Sequence, residues 1–147
     1  MTDTSDRLRE RPADRLAAPS ASFDLRAAAE ELWREHGVSG HGHRQKVLAR
    51  HGRATLALFV FEPGAKLAPH STSGTVVIQC VDGELEVSSD GHLHQIGSGK
   101  VLVMAPRVLH DVRATQRTVM LLAVAFGTSV TPVREGVARF VDWYRGF

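Results

Sequence analysis

The residues able to do chemistry concentrate between Gly64 and Ala114. His70 sits in the segment Gly64-Ala-Lys-Leu-Ala-Pro-His70-Ser-Thr72-Ser-Gly-Thr-Val76, which continues through Val-Ile-Gln-Cys-Val-Asp-Gly83. His110 sits in Gly99-Lys-Val-Leu-Val-Met-Ala105-Pro106-Arg107-Val-Leu-His110-Asp-Val-Arg-Ala114. A neutral imidazole is a good hydrogen-bond partner for a polar or anionic small molecule, and its bare nitrogen is also a metal ligand. Neither segment offers a carboxylate in phase with these histidines. Strand alternation sends Asp111 to the face opposite His110, and Gln79, one step out of phase with Val76, needs a bulge to turn inward. Two imidazoles with waters bind a metal weakly and unselectively.

The segments read as strands of a barrel, and alternation then sets the rest of the constellation. With His70 facing in, Thr72 faces in as well. Val76, Ile78 and Cys80 share the inner face of the next strand, and Val112 and Ala114 join His110. The two histidines approach each other inside the cup from different halves of the barrel. Val76, Ile78, Val112 and Met104 supply apolar walls to a few polar anchors, which is the make-up of small-molecule pockets. Arg107, in the loop before His110, reads either as a guanidinium reaching over the mouth to hold a carboxylate or as a solvated loop residue. The histidine pair also has a plain reading, in which each ring satisfies the other, nearby backbone or a buried water. Cys80 reads as a buried core thiol with nothing near it in sequence to lower its pKa.

The remaining histidines are weaker candidates. His92 and His94 share one face of a hairpin that the register of the two segments places away from His70. His41 and His43, in Ser-Gly-His-Gly-His-Arg, precede the first barrel strand on a glycine-rich segment able to swing over a barrel mouth. His36 and His51 read as a helix-end and a turn residue.

These groups need a scaffold of short strands. Strands are expected near 45–49, 54–62, 75–81, 84–88, 92–96, 100–104, 108–113 and 117–126, with hairpin turns at Asp82-Gly83 and Asp90-Gly91. That spacing predicts an antiparallel sandwich or barrel. Leu56–Phe61 and Val119–Phe126 are apolar on both faces, so their outer sides need cover from helices or a second subunit. An amphipathic helix is expected over Phe23–His36, with Leu25, Ala28, Ala29, Leu32 and Trp33 at helical spacing, Ser22 or Asp24 as cap and Gly37 as stop. A closing helix is expected from Val133 to Trp143, with Pro132 in its first turn. Residues 1–21, polar and broken by Pro12 and Pro19, read as a mobile arm, and 22–147 as one domain with its barrel at about 45–126.

Composition narrows the function classes. A chain of 147 residues with 43% hydrophobic content suits one domain with one core. A single cysteine excludes an intramolecular disulfide framework. No apolar h-region opens the chain and no apolar run is long enough to span a bilayer, so a cytoplasmic protein without membrane contacts is expected. The net charge of +2 is spread without a basic stripe, which argues against nucleic-acid binding.

The two histidine segments together resemble the paired motifs of the cupins. The first cupin motif reads Gly, five residues, His-x-His, three or four residues, Glu, six residues, Gly; the second reads Gly, five residues, Pro-x-Gly, two residues, His, three residues, Asn. Here Gly64, His70, Gly83, Gly99 and His110 are kept. Thr72 stands at the second His, Val76 at the Glu, and Ala105, Arg107 and Ala114 at the Pro, Gly and Asn. The resemblance covers about Lys46 to Phe126 and is to small single-domain bacterial cupins of the RmlC-like superfamily. In particular it is similar to a divergent group whose first motif reads His-x-x-x-Gly before an apolar strand carrying Gln. It implies a mainly β fold, a double-stranded β-helix or jelly-roll barrel with flanking helices, and a homodimer. Cupins typically hold Fe, Mn, Ni, Cu or Zn with three imidazoles and a carboxylate, of which only His70 and His110 have counterparts here. The expected function is therefore binding of a small molecule in the cup, as a sensor or accessory protein. The alternatives are a metal-dependent oxygenase-like or isomerase-like enzyme using His70 and His110 with an atypical third ligand, and a structural module whose cup is filled by side chains.

Overall fold

Alternating apolar residues in most strand segments give sheets with one buried face, and two such faces close on each other. The computed structural model describes residues 16–35 and 42–127. Its strands are β1 His43–His51, β2 Ala54–Phe61, β3 Lys66–His70, β4 Thr75–Asp82, β5 Glu84–Ser89, β6 His92–Gly97, β7 Val101–Met104, β8 His110–Ala114 and β9 Thr118–Ala125. They form two antiparallel sheets, ordered β1-β2-β9-β4-β7 and β3-β8-β5-β6. The inward residues Phe59, Phe61, Val76, Ile78, Cys80, Leu85, Val87, Met104, Val112 and Met120 make one continuous core between the sheets.

The outer faces differ, as the sequence patterns require. Leu58 and Val60 of β2 and Val119 of β9 point away from that core and are buried under Ala29 and Leu32 of helix α1, Leu25–Arg34. Helix α1 thus supplies cover for the half of the larger sheet that is apolar on both sides. Asp24 caps it, its Oδ1 accepting from the Ala27 amide at 3.0 Å. The smaller sheet is polar outside, where Arg113 and Glu86 pair at 3.9 Å.

Two expectations change. No strand is expected between Phe61 and Thr75, yet β3 forms there; Pro69 disguises it, and an edge position tolerates a residue with no N–H to donate. Asp82-Gly83 does not close a hairpin: it carries the chain from β4 in one sheet to β5 in the other. Gly83, at φ 101, passes so close to β9 that a Cβ would lie 2.5 Å from the Arg117 carbonyl oxygen. Asp90-Gly91 does turn a hairpin, both residues being left-handed at φ 48 and 75. The expected closing helix at Val133–Trp143, His36, His41 and residues 1–15 of the arm lie outside the described residues. Among the described residues no helix is long and apolar enough to cross a membrane.

Candidate functional site

Edge strand β3 pairs with β8 in the register Lys66↔Arg113, Leu67↔Val112 and His70↔His110. Leu67 packs on the core, so strict alternation would send His70 outward. The register slips between Leu67 and His70, and the extra residue of this Ala68–Pro69 bulge turns His70 back to the inner face beside His110. The ring centroids are 4.3 Å apart and the planes tilt by 59°. The histidines are therefore neighbours on one sheet and do not meet from opposite halves of the barrel. His110 is buried at 4% exposure, whereas His70 is open to solvent at the strand end.

Both rings are oriented by backbone. His70 Nδ1 donates to the Ala68 carbonyl at 2.8 Å, and His110 Nδ1 donates to the Val108 carbonyl at 2.9 Å. A carbonyl oxygen can only accept, so each Nδ1 carries the proton. In the neutral rings both Nε2 atoms keep a free lone pair, and among the described residues neither has a hydrogen-bond partner.

Thr72 does not share this face. β3 ends at His70, and the Thr72 hydroxyl folds onto its own turn, donating to the Gly74 carbonyl and accepting from the Gly74 amide, both at 3.1 Å. The Thr72 carbonyl accepts from the Arg107 amide at 2.7 Å, which ties the β3–β4 loop to the β7–β8 loop. Thr72 thus braces the mouth of the cup. Arg107 is exposed and has φ 66, in the left-handed region that favours glycine. The loop keeps a glycine-like backbone shape with an arginine in it. Val76 and Met104 pair across β4 and β7, and with Ile78 and Val112 they lie within the buried core. Gln79 is exposed on the outer face, and Asp111 pairs with Ser88 on the outer side of the smaller sheet.

A further group was not legible in the sequence. His110 is paired with Ser89 of β5, and Ser89 with His92 of β6. Directly paired residues project on the same face, so His70, His110, Ser89 and His92 form one row across the inner side of the smaller sheet. One layer deeper, His94 pairs with the core residue Val87, and the His92 and His94 rings lie 6.4 Å apart. The hairpin that the sequence reading set apart from His70 thus lines the same face. The Asp90-Gly91 turn fixes Ser89 opposite His92, but nothing local reveals that β5 lies beside β8. His43, by contrast, pairs with Phe61 at the far end of the barrel, 5.9 Å from that ring. His51 ends β1 as an exposed turn residue.

The donor set falls short of a metal centre. Among the described residues no three His, Cys, Asp or Glu side chains gather closely enough to hold an ion. Two imidazoles without a carboxylate do not make the two-His-one-carboxylate set, Thr72 is committed to its turn, and Val76 has no donor. No metal-dependent step follows from this geometry. Cys80 is no nucleophile either: burial, followed by the charges of Asp82 and Glu84, pushes its thiol up to about 11.

A family model described as a cupin domain matches residues 57–126, from β2 to just past β9. The chain thus carries a cupin domain over these residues. The cupin fold recurs in solved structures similar to it. A conserved protein of unknown function from Streptococcus pyogenes aligns with a TM-score of 0.61 at 18% identity, covering 78% of this chain and 94% of that one. An RmlC-like cupin from Desulfovibrio desulfuricans aligns at 0.55 and 25% identity, covering 64% and 92%. Salicylate 1,2-dioxygenase from Pseudoaminobacter salicylatoxidans, in adducts with gentisate, aligns at 0.66 and 14% identity; this cupin covers 34% of its length, against 75% of its own. No curated protein gives a significant match.

Proposed function

We propose that this cupin binds a small hydroxy acid at the mouth of its barrel, as a sensor or accessory protein, without a metal. The observation that carries this reading is the inward pair His70–His110 with both Nδ1 atoms committed to backbone and both Nε2 lone pairs open. A bare imidazole nitrogen accepts a hydrogen bond, which an alcohol can donate. Arg107, whose loop is tied through its backbone amide to the Thr72 turn at the same end of the barrel, offers an exposed permanent cation for a carboxylate. A left-handed arginine costs about 1–2 kcal/mol relative to an unstrained residue, and such strain is commonly kept where a side chain serves a site.

The second reading is a metal-dependent enzyme. It is favoured by the Nδ1–H···O=C bonds, since metal-binding histidines are usually oriented in this way, and by the fold's likeness to a dioxygenase. It requires a third ligand. Elemental analysis of tag-free protein, with His70→Ala and His110→Ala beside it, separates the two. The binding reading expects far less than one metal per chain and a rise in melting temperature with glycolate that chelator does not abolish. Near-stoichiometric metal lost in both variants would establish the enzyme reading in its place.

A further inference from the structure

We propose that the mouth continues across the smaller sheet to Ser89, His92 and His94, and that it selects a polyhydroxylated carboxylate long enough to reach from the His70–His110 pair to β6. This rests on the binding reading above and extends it to the class of ligand.

The row His70, His110, Ser89, His92 occupies four adjacent strands at one level of the inner face. Ser89 is the decisive member. It faces inward between His110 and His92, and its hydroxyl makes no hydrogen bond among the described residues and is not one of the buried unsatisfied atoms, so it stays open to water or to a ligand. A hydroxyl left open in this way can both donate to and accept from a ligand. Its neighbours on either side are imidazoles, and neither His92 nor His94 has its ring nitrogens tied to backbone as His70 and His110 do. A neutral imidazole with both nitrogens free offers one donor and one acceptor, and a serine hydroxyl offers both. An alcohol group likewise both donates and accepts, so a chain of hydroxyls satisfies the row without any change of charge. An alkyl chain would leave Ser89 unpaired.

Distance sets the length. Strands lie about 4.8 Å apart, so His92 stands roughly 10 Å from His110 along the row, with Ser89 midway. Hydrogen bonds of about 2.8 Å at each end leave roughly 4–5 Å to be spanned between the outermost hydroxyl oxygens. A carbon chain of about four to six atoms fills that span, with the carboxylate left for Arg107. No carboxylate side chain of these strands faces the row: Glu86 and Asp111 lie on the outer face, and Glu84 and Asp82 at the far end of the barrel. Asp90 stands at the exposed tip of the β5–β6 turn.

The test compares gluconate with glycolate as probes on the full chain, by calorimetric titration and by ring-nitrogen spectra of histidine-labelled protein. Gluconate is expected to bind about tenfold or more tighter than glycolate and to move the His92 resonances, which glycolate leaves in place. Ser89→Ala and His92→Ala should each cost gluconate about five- to tenfold and leave glycolate unchanged, while His92→Gln recovers part of the loss. Melting curves of the variants verify folding, and the native spectra need no variant. Equal affinity for the two probes, or gluconate binding that ignores both substitutions, would overturn the extension while leaving the binding reading intact. Failure of glycolate and gluconate alike to move His70 and His110 would overturn both.

Discussion

Replacing Arg107 by glycine should stabilise the protein relative to replacing it by alanine. Both substitutions remove the guanidinium, so the contrast isolates the backbone. At φ 66 a Cβ costs about 1–2 kcal/mol, a cost that glycine escapes. Glycine gives back about 0.4–1 kcal/mol through the greater freedom of its unfolded chain. The balance favours Arg107→Gly over Arg107→Ala by roughly 0.5–1 kcal/mol, or a few degrees in melting temperature. The exposed strand residue Arg113 is the control, because there glycine should be worse than alanine by about 0.5–1 kcal/mol. Urea unfolding at equilibrium measures both pairs, read from midpoints at constant slope. The sign must reverse between positions 107 and 113. If alanine is the more stable at both, the loop does not hold position 107 left-handed, and the case for a strained arginine poised at the mouth fails.

Other outcomes follow from the same contacts. Gly83→Ala would press a Cβ against the Arg117 carbonyl and the Thr118 side chain at an unfavourable φ, and should cost about 3 kcal/mol or more in an unfolding experiment. Leu32→Ala should cost about 2–4 kcal/mol, because Leu32 is 1% exposed and anchors α1 on the larger sheet. The Cys80 thiol should react with a disulfide reagent at pH 8 only as fast as the protein unfolds, since it is fully buried and its pKa is raised to about 11. That raised value also means the folded state holds the thiol proton more tightly than the unfolded chain does. Its contribution is complete below the ordinary value of 9.0 and is lost as pH rises towards 11, so Cys80→Ala should flatten the stability profile in that window.

Much of the barrel was legible because local pattern and tertiary role agree. In β4, Val76, Ile78 and Cys80 alternate with residues of greater exposure, and this placed the inner face correctly. Asp24 and the Leu25–Leu32 spacing located α1 for the same reason. The site was less legible wherever register decides. The Ala68–Pro69 bulge, and not simple alternation, brings His70 inward, and it lies in a strand whose proline concealed it. Alternation continued past His70 made Thr72 look like an inward residue, but the strand ends at His70 and Thr72 belongs to a turn. Ser89, and the nearness of His92 to His110, escape the sequence because strand order across a sheet is a non-local property. No spacing within the β5–β6 hairpin reveals that β8 lies beside it.

The Nε2 nitrogens of His70 and His110 stand open to a ligand. Long-range proton–nitrogen spectra of histidine-labelled, chelator-treated protein test this most directly, before and after glycolate. Both rings should be Nδ1–H tautomers, and their Nε2 signals should move on addition while that of His51 stays in place. Nε2–H tautomers at this pair, or signals that glycolate leaves unchanged, would contradict the account.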